Sequence, residues 1–597
     1  MSAPFKELEA KYHKMWQEEK KRYNQIANLR LVVLILAGYM TYLVIKSPKQ
    51  LLWIIGAGAS FAIFFYLLYK HQKIKDQMDY YESMENVNKK YSMRMTKEWH
   101  GFRDRGDEFE IDSHPYALDL DIVGPQSLFQ KINTTHTWHG RKLLAESLLE
   151  NHFTEEIIGE RQKAIKELLN DLDFCQKVEG ITSRRKKGIE EPKKLLEYAT
   201  DTENFIEERW LKALIKGLPY PLIILVVLSF ITPYSWIKTL TTVLIIATYG
   251  LVVFYMPRIS KVKEILMSML YDLQEYVGIL DVIKDKEFNS SYLKEQTECL
   301  FKDEQNALNC LKELEHISNL AHITYQPIVA ILLNGLMVWD LQVILKAENW
   351  RKKYGASIES YLKAIGEVES LISLSVIGHI ESDVHFPLVS MEGQYIEAQV
   401  LGHPLIEQQV RVCNDVQLRD EIFVITGSNM SGKTTFMRTL GISLILAYSG
   451  APVVAKNLKC SKMNLATSMR IRDDLSHGIS TFYAELTRIK EIIEAGKDKG
   501  KQCFLIDEIF RGTNSGDRII GSISVVKALS KYGSIGAITT HDMELCKLGE
   551  EKGVSNYHFE EQYGEDTIKF DYKLRKGHST TTNAKYLMKM VGIEVIE

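Results

Sequence analysis

Three short stretches hold residue types whose spacing could do chemistry. Thr426–Thr439 reads TGSNMSGKTTFMRT and contains Gly-x-x-x-x-Gly-Lys-Thr. In such a loop Gly427 and Gly432 let the backbone turn its N–H groups inward around phosphates. Lys433 supplies a point charge to the β- and γ-phosphates, Thr434 offers a hydroxyl to Mg²⁺, and the helix starting there aims its positive end at the anion. Gly427, Ser428, Asn429, Met430, Ser431, Gly432, Lys433, Thr434 and Thr435 are therefore the candidate nucleotide grip, with ATP and Mg²⁺ as cofactors. Downstream, CFLIDEIFRGTNSGD ends an apolar run in two acids. Asp507 there would hold the metal together with Thr434, and Glu508 would act as general base on the attacking water. GAITTHDMEL ends another apolar run at His541. A strand-end histidine alone is usually structural, but this one stands where a γ-phosphate sensor would be useful. Lys433, Glu508 and His541 are the candidate catalytic residues.

These residues need elements to hold them. EIFVITG, CFLIDE and IGAITTH read as short buried strands separated by helical patterns. That alternation predicts an α/β domain with a largely parallel sheet from residue 391 onward. DDLSHGISTFYAEL passes from a polar turn into a helix, and on its own Ser480-Thr481 reads as a helix cap. Between residues 119 and 390 helix-period patterns dominate, including Lys263–Ile283 and Ile358–Ile380. The basic cluster SRRKKG at Ser183–Gly188 reads first as a solvated loop, with a phosphate or anionic-lipid contact as the alternative. A net charge of -3 with 25% charged residues gives no global sign of a nucleic-acid protein. The seven cysteines are scattered singly with no metal-ligand spacing, which fits a reducing compartment.

Four stretches are strongly apolar: Leu31–Ile45, Leu51–Tyr69, Leu218–Ile231 and Leu240–Met256. A membrane helix needs roughly 17–25 mostly apolar residues. The second and fourth qualify alone, and the first and third qualify with flanking residues if Arg30 and Lys216 snorkel. Buried core helices are the alternative reading. Trp53, Tyr66, Tyr69, Tyr234, Trp236 and Tyr255 lie near the ends of the stretches, as interfacial aromatics do. Lys and Arg flank both pairs more densely than they occupy the turns, which expects every soluble part on the cytoplasmic side of a bacterial-type inner membrane.

Taken together, the site motifs resemble the MutS family, DNA mismatch-repair ATPases of the ABC class. The family's TGxNMSGK[ST]T is Thr426–Thr435 here, and its DE-x-x-RGT is Asp507, Glu508, Arg511, Gly512 and Thr513. Its STF segment is Ser480, Thr481 and Phe482, followed by Glu485; its TH-x-x-EL is Thr540, His541, Glu544 and Leu545. Its HP and ND pairs are His403-Pro404 and Asn414-Asp415. Ser127–Leu149 and Ile365–Ser375 look like the start and the last lever helix of its helical core, so the resemblance covers roughly residues 119–595. It implies a homodimer with composite ATP sites, in which Ser480 reaches the partner's γ-phosphate and Asp517 lies on the interface. The family often stacks an aromatic on adenine just before the ND pair; Arg411 holds that place here and would stack its guanidinium instead. The family's mismatch reader uses a Phe-x-Glu wedge. Phe5-Lys6-Glu7 and Phe559-Glu560-Glu561 match it in letters only, and apolar stretches stand where the reader domains would be.

The expected architecture is multi-domain, with four transmembrane helices, an all-α MutS-like core and lever domain, and a C-terminal α/β P-loop ATPase of ABC type. A cytoplasmic amphipathic N-terminus (1–30), hairpin 1 (31–70) and a helical stalk and connector (71–118) precede the core (119–390), which hairpin 2 (213–257) interrupts; the ATPase is 391–597. Two functions compete. One is a membrane-anchored MutS-like ATPase whose closure moves helical levers, with DNA as an inherited expectation for partner. The other is an ABC-type transport or membrane-remodelling ATPase that acts on the bilayer without DNA.

Overall fold

The computed structural model describes residues 3–46, 51–111, 113–182, 190–202, 208–302, 305–428, 430–470, 481–498, 500–510, 514–563 and 568–578. The basic cluster at Ser183–Gly188 lies outside the described residues. Two long helices open the chain, α1 (Ala3–Lys46) and α2 (Leu51–Arg94), packed against each other along their length. The polar lead-in expected as a separate N-terminal segment is continuous with the first apolar stretch in α1, and the stalk is continuous with the second in α2. Phe5 is buried and stacks on Tyr91 with ring centroids 5.1 Å apart, so its Phe-x-Glu letters are packing, not a wedge.

Among the described residues, fourteen further α-helices precede the strands: α3 (Leu128–Ile132), α4 (Trp138–Leu149), α5 (Glu155–Leu169), α6 (Leu172–Thr182), α7 (Lys193–Thr200), α8 (Arg209–Gly217), α9 (Pro219–Ile231), α10 (Ser235–Phe254), α11 (Met256–Lys284), α12 (Ser291–Phe301), α13 (Ala307–Ile323), α14 (Pro327–Met337), α15 (Trp339–Tyr354) and α16 (Ile358–Ile380). Among the described residues four helical segments are long and apolar enough to cross a membrane: Pro4–Lys46, Leu51–Arg94, Arg209–Ile231 and Ser235–Phe254. The short third stretch reaches its length by joining α8 to α9. The apolar helix α14 has no counterpart among the expected spans, because its eleven residues fall below the length of one.

The chain divides into two compact units, one of residues 1–134, 143–176 and 371–597, the other of 135–142 and 177–370. The helical region 119–390 is thus shared between them. In the second unit two glycines set how closely α4 and α16 pack. A Cβ on Gly366 would lie 2.6 Å from the His139 carbonyl carbon, and one on Gly140 would lie 2.5 Å from a Glu369 carboxylate oxygen. Glu369 is buried there. It accepts from the His136 N–H at 2.9 Å and from the Thr137 hydroxyl.

In the first unit the strands run β1 (Val384–His385), β2 (Leu388–Ser390), β3 (Tyr395–Leu401), β4 (Asn414–Arg419), β5 (Ile422–Thr426), β6 (Val453–Val454), β7 (Asn457–Ser461), β8 (Asn464–Ser468), β9 (Gln502–Asp507), β10 (Ile535–Thr540), β11 (Val554–Tyr563) and β12 (Ile568–Lys576). Between them lie α17 (Lys433–Tyr448), α18 (Thr481–Asp498) and α19 (Ser515–Lys531). The main sheet has the order β12-β11-β5-β10-β9-β8, parallel from β11 to β8, with β12 antiparallel at its edge. The runs read as buried strands are β5, β9 and β10, and every residue in them is buried, as a parallel sheet covered on both faces requires. A second sheet, β2-β7-β3-β4, lies in the same unit.

Glu369 supplies a test of the helical unit. Burial raises its carboxyl from 4.5 to about 7, against the pull of the Thr137 and His136 hydrogen bonds. A raised carboxyl binds its proton more tightly folded than unfolded, so its contribution is fully present below pH 4.5 and is lost as pH rises through about 7. Glu369→Gln should therefore be near neutral at pH 4.5 and more stable than the parent above neutrality, by about 1–3 kcal/mol. Urea denaturation across that range would show it; an advantage independent of pH would contradict the assignment.

Candidate functional site

The parallel register sets the site. Thr540 pairs with Thr426, and Thr539 with Asp507, so the carboxyl ends of β5, β10 and β9 finish level. That edge of an α/β sheet is where ligands bind. Gly427 leaves β5 with φ +146° and Gly432 starts α17 with φ +103°, both in the half of backbone space that favours glycine. A Cβ on Gly427 would also lie 2.9 Å from Ser431 Oγ. Among the described residues the hydroxyls of Ser428 and Ser431 find no hydrogen-bond partner in the loop, a donor set suited to an anion.

Lys433 is buried and donates to the carbonyls of Gly427 at 2.7 Å and Ser428 at 2.9 Å. Thr434 donates to one oxygen of Asp507 at 2.7 Å, and Thr539 donates to the other at 2.5 Å. Glu508 follows with φ +52°, a conformation disfavoured for its residue type. Two bonds hold it there: its N–H donates to the Thr539 carbonyl at 3.2 Å and lies 3.0 Å from that residue's hydroxyl. His541 Nε2 lies 2.8 Å from Glu508 Oε1 and 3.5 Å from Lys433 Nζ. A carboxylate only accepts, so Nε2 carries the proton in this pairing. The chain thus brings Lys433, Thr434, Asp507, Glu508 and His541 together.

Of these groups Lys433, Thr434 and Glu508 border a cavity of about 510 Å³. Its far wall is formed by Leu401, His403, Ile406, Val410, Val412 and Tyr572. The expectation that Arg411 stacks on a base is corrected here. Its side chain is 4% exposed and is held bidentately by Glu381 at 2.8 and 2.7 Å, with the Ile406 carbonyl as a further acceptor. The guanidinium is committed behind the wall, and the aliphatic neighbours Val410 and Val412 line the cavity. Lys131 completes this buried cluster, 3.7 Å from Glu381 and donating to the Pro404 carbonyl at 2.5 Å; burial lowers it to about 8 although Glu381 pulls the other way. Burial, reinforced by the cations Arg438, Arg411 and Lys131, pushes His403 down to about 3, so its ring is neutral. Its Nδ1 accepts from the Leu405 N–H at 3.2 Å, which leaves Nε2 as the donor.

The Asn-Asp pair works through the backbone. Asn414 accepts from the Leu574 N–H at 2.9 Å and donates to the Tyr572 carbonyl at 3.0 Å, fixing the strand that carries Tyr572. Asp415 accepts from the Val400 N–H at 2.8 Å. Asp517 is exposed in the first turn of α19, where its side chain and N–H bond Asn514, outside the cavity. Asn429, Ser480, Arg511, Gly512 and Thr513 lie outside the described residues.

Tyr572 and Glu561 belong to the site although neither lies in its nucleotide motifs. Tyr572 comes from an edge strand far along the chain. Glu561 is buried on β11 and accepts from the Ser428 N–H at 3.1 Å, bracing the base of the loop. The one sequence signal for Glu561 is an acid at an inward strand position two residues after the buried Phe559. These Phe-x-Glu letters therefore belong to the loop's support.

The class so defined is an α/β domain with a glycine-loop site at the carboxyl edge of a mostly parallel sheet. In this domain the chain is similar to the MutS family: the family model described as MutS domain V matches residues 423–595. It is 32% identical to the DNA mismatch repair protein MutS of Aquifex pyrophilus over 242 residues, 38% of this chain and 27% of that protein. It is 29% identical to the proteins of the same description from Natronomonas pharaonis, over 40% of this chain and 28% of that one, and Clostridium novyi, over 43% and 29%. The chain thus matches less than a third of the length of these relatives.

Loss of the Glu561 brace should loosen the loop. Glu561→Ala is expected to weaken binding of a fluorescent adenine nucleotide by about tenfold, the worth of one charge-assisted hydrogen bond, while Glu561→Gln keeps an acceptor and most of the affinity. Equal affinity in all three proteins would refute the brace.

Proposed function

We propose that this chain is a Mg²⁺-dependent ATPase of MutS type, anchored in a membrane by two helical hairpins. The supporting observation is the convergence of Lys433, Thr434, Asp507, Glu508 and His541 on one sheet edge, beside a cavity of about 510 Å³. The phosphates would lie along the loop at the start of α17, with Lys433 exchanging loop carbonyls for phosphate oxygens. Thr434 and Asp507 would hold Mg²⁺, which supplies charge neutralisation between the phosphates. Glu508 would take a proton from the attacking water, and His541 would position that carboxylate through the bond it already makes. The base would sit in the apolar wall against Tyr572, Val410 and Val412, with neutral His403 as a hydrogen-bond donor there.

By resemblance to the family, two copies would close around composite sites, Ser480 and Asp517 contributing across the interface. Closure would move the helical core as levers. The relatives are named for DNA mismatch repair, and DNA is the partner this suggests. A family-type mismatch reader finds no support, since the phenylalanines of both Phe-x-Glu sequences are packed inside the chain. The apolar length and exposure of the hairpins support a bilayer as the other partner, and the Lys and Arg that flank them more densely than they occupy the turns would put the soluble parts on the cytoplasmic side.

Lys433→Ala is expected to abolish nucleotide binding. Glu508→Gln should bind ATP yet lower turnover by about 100-fold or more and accumulate a dimer, read by light scattering in detergent with ATP. Unchanged turnover in Glu508→Gln would remove the general-base assignment. The nature of the load is decided by steady-state ATPase rates of the parent protein with homoduplex, mismatched and branched DNA, and with liposomes. Stimulation by liposomes alone would leave the bilayer reading and discard the DNA one.

A further inference from the structure

The elbow between α13 and α14 carries an apolar surface that no expected span accounts for. The two helices meet at 106°. In PIVAILLNGLM there is no charged residue. Ile328, Ile331 and Leu332 are 75%, 59% and 57% exposed, and Tyr325 precedes them, also exposed. A cluster of this kind on an eleven-residue helix is costly in water.

α14 is also fixed firmly in place against the second hairpin. The Thr248 hydroxyl donates to the Gly335 carbonyl at 2.9 Å, and the Tyr249 hydroxyl donates to that of Ile331. Both donors stand on α10. The Gly335 carbonyl lies in the last turn of α14, where carbonyls lack partners within the helix. A Cβ on Gly335 would lie 2.7 Å from Tyr249 Oη, so only glycine allows this approach. Beneath the elbow Asp340 accepts from Thr324 at 2.7 Å, Asn334 at 2.8 Å and Lys263 at 3.1 Å. The polar atoms of these four residues are drawn together at the base of α14, away from its exposed isoleucines.

We propose that α14 is a half-span, inserted in the lipid leaflet beside α9 and α10. The occupant of its exposed face is the acyl-chain region, because that face continues the lipid-suited surface of the hairpin it packs on. Ile223, Ile224, Val243 and Ile246 on α9 and α10 are exposed in the same way. A helix of this length extends about 16 Å, roughly half of a hydrocarbon core of about 30 Å. Its end carbonyls do not face lipid bare: Thr248 takes that of Gly335, the Val338 N–H takes that of Asn334, and Gln342 takes that of Met337. The inference rests on the membrane reading of the hairpin and adds to it a third inserted element, with Tyr325 at the headgroup level.

The test uses single-cysteine variants of a background lacking the native cysteines, labelled with an environment-sensitive fluorophore. The full chain is reconstituted into vesicles of phosphatidylcholine and phosphatidylglycerol. Ile328→Cys is the probe, Val243→Cys on α10 the lipid reference and Ile157→Cys on α5 the water reference. Spin-labelled acyl chains should quench the Ile328→Cys label to the same fraction as the Val243→Cys label, and aqueous iodide should quench only the Ile157→Cys label. If Val243→Cys responds to lipid and Ile328→Cys to iodide, the half-span is wrong and the hairpin reading stands. If Ile328→Cys is shielded from both quenchers and cross-links to its copy, a second chain covers the face and the lipid assignment is overturned. If Val243→Cys responds to iodide, the membrane reading falls and the half-span with it.

Discussion

The site depends on one buried carboxylate. Asp507 lies at the end of β9, and its two oxygens accept from hydroxyls on two other elements, Thr434 on α17 and Thr539 on β10. A buried carboxylate without such donors is strongly unfavourable. With them, it fixes the first turn of the loop helix against the sheet and sets where Glu508 begins. Glu508 then takes a left-handed backbone conformation because Thr539 holds its N–H through both carbonyl and hydroxyl. His541, one strand over, meets the carboxylate because β10 ends level with β9. A chain of short-range bonds thus converts strand register into the geometry of the site.

Behind the cavity wall a second charged group does a different task. Lys131, Glu381 and Arg411 are nearly free of solvent and come from α3, the residue after α16, and the loop before β4. Glu381 pairs with both cations, Arg411 more closely than Lys131, and burial lowers Lys131 to about 8 against that pull. The wall loop is therefore tied to the end of α16, the helix that resembles the family's last lever. The position of that helix end and the place of the wall loop share one carboxylate. Elsewhere Asp121 accepts from Arg438 of the loop helix at 2.8 Å and from Arg470 at 2.6 Å, a residue that precedes the Ser480 segment in the chain.

The glycine loop, the paired acids and the strands that hold them are legible in the sequence because each is a local property. A strand, a turn and a helix start follow one another in the chain, and the chemistry needs fixed residue types at fixed spacing. The long apolar stretches are legible for the same reason. Arg411 departs from its expected place because Glu381, thirty positions upstream, competes for the guanidinium with any base. Tyr572 and Glu561 are invisible to motif spacing because they reach the site through sheet order: β11 pairs with β5 although three helices and several strands lie between them in the chain. α14 escapes a criterion of length alone. Its place comes from Gly335 fitting under Tyr249 and from a polar base that no periodicity reveals.

The position of β12 has a consequence for the order of events in the cell. Tyr572 and Glu561, which wall the cavity and brace its loop, leave the ribosome long after α1, α2, α9 and α10. β11 must also slot beside β5, a pairing between distant parts of the chain that forms late in folding. During translation the apolar helices α1, α2, α9 and α10 therefore emerge while the cavity still lacks a wall. In a nascent chain the cavity therefore lacks its Tyr572 wall and its Glu561 brace until the last strands have been made.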